Sequence, residues 1–402
     1  MTDATTLKQI ADRAKALDGW INERRQHLHR NPELSFREER TAAFVRSELK
    51  ALGYAPADPI PGQHGFHVDL VAPANPNRFV LLRADMDALP IQELNNVPFK
   101  SQNPGVGHLC GHDAHTSMLL GAAGILKDLR DKLPVSVRFV FQHAEEVEPG
   151  GAQDFVKAGL TDDVIGCFGL HVSPRVESGF FGLRAGEAMA CVGTIKAVIR
   201  GRGGHGAAPH ETIDPVPAAA AAILNLQNIV ARRIPPQEPA VVSVTMINAG
   251  TASNVIPNEV TFGGTFRSFN MDRIPEIERH IVQIVEDTAR SYGCVAEVSA
   301  IHSYPPVVND ERAMAASRDA LSTMFGEEIC RPIEKSMGAE DFAYFCLAKP
   351  SSFVFLGVLP PGETFYPLHH PNFLPDDRVF WKGSALLAAM PFVAPSHLGT
   401  TT

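Results

Sequence analysis

No part of the chain approaches the ~20 uninterrupted apolar residues that a membrane span requires, and the Ala-rich run Pro217 to Leu226 is too short to be one. The N-terminal stretch Met1 to Arg30 has charges spread through it and lacks the continuous apolar core of a signal peptide. A cytoplasmic protein without a membrane partner is therefore expected. Cysteine is sparse: Cys110, Cys167, Cys191, Cys294, Cys330 and Cys346 lie far apart, which excludes a disulfide framework and suits reduced thiols. Five of the six are expected to be small buried hydrophobes, and only Cys110 has neighbours that suggest chemistry. Basic clusters are equally scarce. With 36 Lys and Arg against 45 Asp and Glu, a formal net charge of -9, the pairs Arg24-Arg25 and Arg232-Arg233 read as solvated helix faces, and nucleic acid is an unlikely partner. There is no internal repeat, and no low-complexity tract beyond the Ala-rich helix.

At 402 residues the chain exceeds what one hydrophobic core usually serves, so two domains, or one domain carrying an insertion, are expected. Short apolar runs end abruptly in polar residues: Phe79 to Leu82, Val135 to Phe141, Val164 to Leu170 and Ser352 to Val358. Runs of this kind read as strands buried on both faces. Helix-like segments alternate with them, at Ala42 to Leu52, Thr116 to Lys132 and Ala152 to Ala158. The alternation predicts an α/β fold with a mostly parallel sheet. In such sheets sites form at the carboxyl ends of strands, where Asp85, Glu145-Glu146 and His171 fall. The middle of the chain follows β-α-β-β-α-β, the ferredoxin-like order, with strands near Cys191 to Arg200, Val241 to Ile247, Val260 to Phe269 and Val295 to Ile301, and helices at Pro215 to Arg232 and Ile274 to Tyr292. The expected organisation is a catalytic domain of residues 1–185 and 303–402 with an inserted ferredoxin-like α+β lid or dimerisation domain at 186–302.

The densest chemistry lies in Gly107-His108-Leu109-Cys110-Gly111-His112-Asp113-Ala114-His115-Thr116. A thiol and imidazoles at the opening of a helix can converge on a cation. Cys110 and His112, two apart, would point to one side on extended backbone. The rival reading is a catalytic Cys/His pair, with Cys110 as nucleophile and His112 or His115 as base. In Gln142-His143-Ala144-Glu145-Glu146 two adjacent carboxylates diverge, so one can hold a metal while the other faces substrate. His205 sits among glycines in Gly203-Gly204-His205-Gly206, which lack the Lys-Ser/Thr ending of a phosphate loop. Arg267 ends an apolar strand, where a guanidinium in a cleft would clamp a carboxylate.

Taken together, Leu82-Arg83-Ala84-Asp85-Met86-Asp87-Ala88-Leu89-Pro90, Cys110-Gly111-His112-Asp113-Ala114-His115-Thr116, Glu145-Glu146, Gly204-His205-Gly206-Ala207-Ala208-Pro209-His210, Gly338-Ala339-Glu340-Asp341-Phe342 and Leu368-His369-His370-Pro371-Asn372-Phe373 resemble the aminoacylase and glutamate-carboxypeptidase family of dinuclear metallopeptidases. Within it they are similar to the hippurate hydrolase and auxin-conjugate hydrolase branch. The resemblance implies two divalent metal ions per subunit held by Cys110, His112, Glu146, His171 and His369, with Cys110 between His112/His171 and Glu146/His369. It implies Glu145 as general base, His205 as a residue supplied by the small domain, and Asn254 and Arg267 as contacts for the substrate's carboxylate end. Arg83 stands where the wider family has a metal-binding His, and Asp85 is left as an orienter of an imidazole. A thiolate favours zinc, nickel or cobalt over magnesium, and the branch is also associated with manganese. The implied reaction is hydrolysis of an N-acyl amino acid by activated water, with the oxyanion stabilised by a metal and His205. A homodimer or higher oligomer through the inserted domain is implied as well. The alternatives are a dipeptidase or carboxypeptidase using the same site, the Cys110 thiol amidase, and a non-enzymatic binding protein that keeps the scaffold.

Overall fold

The computed structural model describes residues 4–399. Among them, Phe66–Leu70 (β1), Phe79–Asp85 (β2), Ser136–Gln142 (β3) and Val164–Glu177 (β4) join a seven-stranded sheet in the order β1, β3, β2, β4, Ser351–Leu359, Phe181–Leu183, Cys330–Pro332. From β3 through β2 and β4 to Ser351–Leu359 the strands run parallel, and β1 is antiparallel to β3. Every residue of β2 and β3 is buried. Their mostly apolar sequences thus reflect cover on both faces, as in other parallel sheets.

Helices Ala4–Ala16 (α1), Asp18–Arg30 (α2), Glu39–Ala51 (α3) and His112–Asp128 (α4) belong to the same unit. Thr41, Ala42, Val45 and Leu49 form the inward stripe of α3, with the spacing of one helical face. By contrast α4 is buried nearly all round and packs against α2 and Phe380–Leu398. Gly121 permits that approach: a Cβ there would lie 2.5 Å from Ser384 Oγ and 2.9 Å from Ile21 Cδ1. The helix begins at His112, four residues before its apolar pattern does, because its first turn carries polar side chains committed to a site.

The chain divides into two compact units. One takes the chain up to Ala188, then Val308–Glu334 and the stretch from Asp341 on; the other is Met189–Val307 with Lys335–Glu340. In the second unit four antiparallel strands lie in the order Val295–Tyr304, Cys191–Arg200, Glu259–Ser268, Ala240–Ala249, the ferredoxin-like arrangement. Ile195, Ala197 and Ile199 alternate with more exposed neighbours. They share a core with Ala218, Ala222 and Leu226 of helix Pro215–Asn228 and with Ile277, Ile281 and Val285 of helix Ile274–Ser291. The Ala-rich composition of Pro215–Asn228 thus serves close packing. No helix among the described residues is long and apolar enough to cross a membrane.

Candidate metal centre

Cys110 and His112 are aimed by a turn, where the two-residue spacing had suggested extended backbone. Gly111 adopts φ 104°, and a Cβ there would come within 2.3 Å of Val172 Cγ2, so glycine is required on both counts. His112 follows as the first residue of α4, its Nδ1 2.9 Å from Asp87 O and 3.2 Å from Asp87 Oδ1. With Nδ1–H so engaged, Nε2 is the ring nitrogen left to face a cation. His171 lies inside β4, which continues to Glu177, where the sequence had suggested a strand end. Its Nδ1–H donates to Val172 O at 2.7 Å, and its Nε2 is 3.4 Å from Cys110 Sγ.

Strained backbone places the other two side chains, Glu146 and His369. Ala144 (φ 47°) turns the chain just before Glu145-Glu146, and His369 itself has φ 66°. Left-handed conformations at non-glycine residues cost on the order of 1–3 kcal/mol each. Specific bonds hold them: Ala144 N donates to Glu38 Oε1 at 2.8 Å and His369 N to Leu109 O at 2.8 Å. Burial, followed by the Asp87 charge, raises the Glu38 pKa to about 7. Glu146 N donates to Asp87 Oδ2 at 3.0 Å, and Glu146 Oε1 lies 3.3 Å from His369 Nε2.

The result is two groups that share one sulfur: Cys110 with His112 and His171, and Cys110 with Glu146 and His369, the ligand atoms of each within 4.8 Å of one another. His112 Nε2 and Glu146 Oε1 are buried with no hydrogen-bond partner among the described residues, 3.7 Å apart. Leaving two such atoms unsatisfied would cost about 1–3 kcal/mol apiece. A thiol, imidazoles each with Nε2 left to face the cluster and a carboxylate are a donor set for borderline divalent cations, so the residues present fit a metal centre. Glu145 Oε2 lies at its edge, 3.9 Å from His112 Nε2.

His115 is bonded at both ring nitrogens. Nδ1 is 2.7 Å from Asp85 Oδ1, and Nε2 accepts from Val172 N at 2.9 Å. Neither nitrogen has a lone pair free for a cation. Asp85 thus orients an imidazole whose two ring nitrogens are both engaged, while its other oxygen meets Arg83. Asp87, not singled out in the sequence, links His112 and Glu146 and accepts from Ser35 Oγ at 2.6 Å. Its signal was the two-residue spacing from Asp85, which on a strand puts both on one side. The Arg24-Arg25 pair also divides: Arg24 is half-buried and pairs with Glu48, whereas Arg25 is fully buried with Nε 2.9 Å from Asp113 Oδ2. His29, between Asp113 and Glu93, completes that buried network. A charged pair on an otherwise polar helix gave no sign of this burial. Of the remaining cysteines, four are buried and Cys346 half-buried, and none is in a disulfide.

His205, Asn254 and Arg267 belong to the second unit. His205 pairs with Val255, next to Asn254, and its Nδ1 accepts from Ala207 N at 3.0 Å, which leaves the ring proton on Nε2. Arg267 donates to Phe266 O at 3.0 Å.

A family model described as peptidase family M20/M25/M40 matches residues 81–391. The chain belongs to that family. It is 43% identical over 304 residues to an N-acyl-L-amino acid amidohydrolase of Geobacillus stearothermophilus, covering 75% of this chain and 80% of the relative. To the IAA-amino acid hydrolase ILR1-like 4 of Arabidopsis thaliana it is 39% identical over 380 residues, covering 92% and 84%. The crystal structure of the Bacillus subtilis YXEP protein, described as a dinuclear metal binding peptidase of the M20 family, superposes with a TM-score of 0.82 at 33% identity, covering 95% of this chain and 99% of that one. The M20 fold thus accompanies side-chain groups in this chain that could hold cations.

Proposed function

We propose that this M20-family chain is a metal-dependent amidohydrolase that cleaves the amide bond of N-acyl amino acids. The observation that carries the reading is the pair of donor groups joined at Cys110, with His112 Nε2 and Glu146 Oε1 buried and unsatisfied beside Glu145. Two divalent cations held by Cys110, His112, Glu146, His171 and His369 would acidify a water and polarise the scissile carbonyl. The likeness to an N-acyl-L-amino acid amidohydrolase supports this choice of substrate.

Within that frame the protein's own groups divide the work. Glu145, nearly buried at the edge of the donor cluster, takes a proton from water and returns it to the departing amine. Asp87 holds the His112 ring and the Glu146 backbone together, so that base and ligands keep their spacing. The Nε2 proton of His205 fits the role of donor to the oxyanion, and Asn254 and Arg267 that of carboxylate contacts. We assign zinc, cobalt, nickel or manganese as candidate ions, a homodimer or higher oligomer through the smaller unit, and a cytoplasmic site of action. A Cys110 thiol amidase is disfavoured: burial, then the Glu146 and Glu145 carboxylates, push the thiol well above its usual pKa, the opposite of what an activated thiolate needs.

The test is a hydrolysis screen of N-acyl amino acids, dipeptides and carboxypeptidase substrates, each with chelator and with metal add-back, on wild type and Glu145→Gln. The variant should retain its metal and lose ~100- to 10,000-fold in turnover. Activity that survives complete chelation, or wild-type turnover in Glu145→Gln, would remove the reading.

A further inference from the structure

One member of the site matches no ligand role. Arg83, on β2, is 2% exposed. Its guanidinium donates to Asp85 Oδ2 at 2.7 Å, to Asp341 Oδ1 at 2.8 Å and to Gln142 Oε1 at 2.8 Å. Asp341 is itself anchored by Gln142 Nε2 at 2.8 Å and Ala152 N at 3.0 Å. Such a fork is a rigid planar object that carries its charge permanently and offers no lone pair to a metal.

What the fork restrains matters for the metal. Asp85, His112 and His115 form a further cluster whose ligand atoms lie within 4.8 Å of one another, and Asp85 Oδ2 is 3.7 Å from His112 Nε2. This cluster would compete with Cys110 for His112 and would add a hard carboxylate oxygen to the donor set. Hydrogen bonds close it. Asp85 Oδ2 is taken by Arg83 and Oδ1 by His115, while His115 Nε2 is taken by Val172 N. Because Val172 directly follows the ligand His171, the same chain of bonds also fixes the backbone that carries that ring.

Building on the metal-centre reading above, we propose that Arg83 is a positioning residue that selects the metal: by holding Asp85, and through it His115, it keeps a carboxylate out of the ligand set and reserves His112 for the sulfur-containing centre. Oxygen donors favour manganese and magnesium, whereas thiolate and imidazole favour zinc and cobalt. Arg83 thereby biases the chain toward the softer ions. Lysine could supply the charge but not the simultaneous reach to Asp85, Asp341 and Gln142.

The experiment uses the full chain stripped of metal: wild type, Arg83→Met, Arg83→Lys and the double variant Arg83→Met/Asp85→Asn. Each is loaded with cobalt(II) for its thiolate-to-metal absorption in the near ultraviolet, and dialysed against equal cobalt and manganese for metal analysis. In Arg83→Met the freed carboxylate should weaken the thiolate band and raise the manganese-to-cobalt ratio tenfold or more. Arg83→Lys should fall between it and wild type and serves if Arg83→Met does not fold. Removal of the carboxylate in the double variant should restore the wild-type ratio, a rescue that general loosening of the core would not produce. An unchanged band and ratio in both single variants, or no rescue by Asp85→Asn, overturns the proposal. A wild-type protein that binds cobalt without a thiolate band overturns the metal-centre reading itself.

Discussion

Loading the metal-free protein should expel about two protons at pH 7, because two of the proposed ligands are protonated when no cation is present. Burial by itself would lower the His112 pKa, but the carboxylates of Asp85, Asp87 and Glu146 around it raise it to about 10. The Cys110 thiol is held well above its usual value by burial and by Glu146 and Glu145. His171 is already neutral, pushed well below its usual value by burial and by His115. Ligation needs a thiolate and a free Nε2 lone pair, so Cys110 and His112 each release one proton. The logarithm of the apparent association constant should accordingly rise by about two per pH unit between roughly pH 7 and 9, and by about one above pH 10, where His112 is neutral. Stability of the metal-free protein runs the opposite way. The folded pKa of His112 lies above its unfolded value, so its contribution is complete below about pH 6.5 and is lost as pH rises through about 10. Calorimetric titration with zinc in buffers of different ionisation enthalpy counts the protons directly. Cys110→Ala should release about one. Release near zero in wild type, or the same count in Cys110→Ala, would refute the protonation states and the ligand roles drawn from them.

Gly111→Ala should lower metal affinity tenfold or more, because its Cβ would meet Val172 Cγ2 at 2.3 Å in a backbone conformation at φ 104°; equilibrium dialysis that finds wild-type affinity would show that the turn does not aim the ligands. Arg25→Met should destabilise the fold by about 3–5 kcal/mol, since it leaves Asp113 buried without its guanidinium partner. Urea denaturation measures this, and Arg25→Met/Asp113→Asn should recover part of the loss; a change within about 0.5 kcal/mol, the range of ordinary surface substitutions, would mean that the pair is not buried in solution.

Much of the site was legible because its signals are local. Cys110-Gly111-His112 and Glu145-Glu146 are contiguous, and the apolar runs before Glu145 and His171 marked strands that the structure contains. Less legible was anything that depends on what packs against a residue. The length of β4 beyond His171 was missed because Ser173-Pro174-Arg175 breaks the apolar run, although pairing with Ser351–Leu359 continues the strand. Arg25 read as a surface charge because its partner, Asp113, lies on a different helix. The family resemblance implied His112 and not His115 as a ligand, and the contacts of His115 to Asp85 and Val172 supply a physical reason that the sequence did not carry.

The sequence by itself determined the parallel-sheet fold, the ferredoxin-like middle segment and a donor set of thiol, imidazole and carboxylate, because apolar periodicity and residue chemistry are carried by neighbouring positions. Which of these donors stay unengaged by other groups was decided only by tertiary structure. Hydrogen bonds from Arg83 and Val172 engage Asp85 and His115, while Asp87 accepts from His112 Nδ1 and leaves His112 Nε2 facing Glu146 Oε1, and those partners come from separate stretches of chain that meet only when the sheet forms.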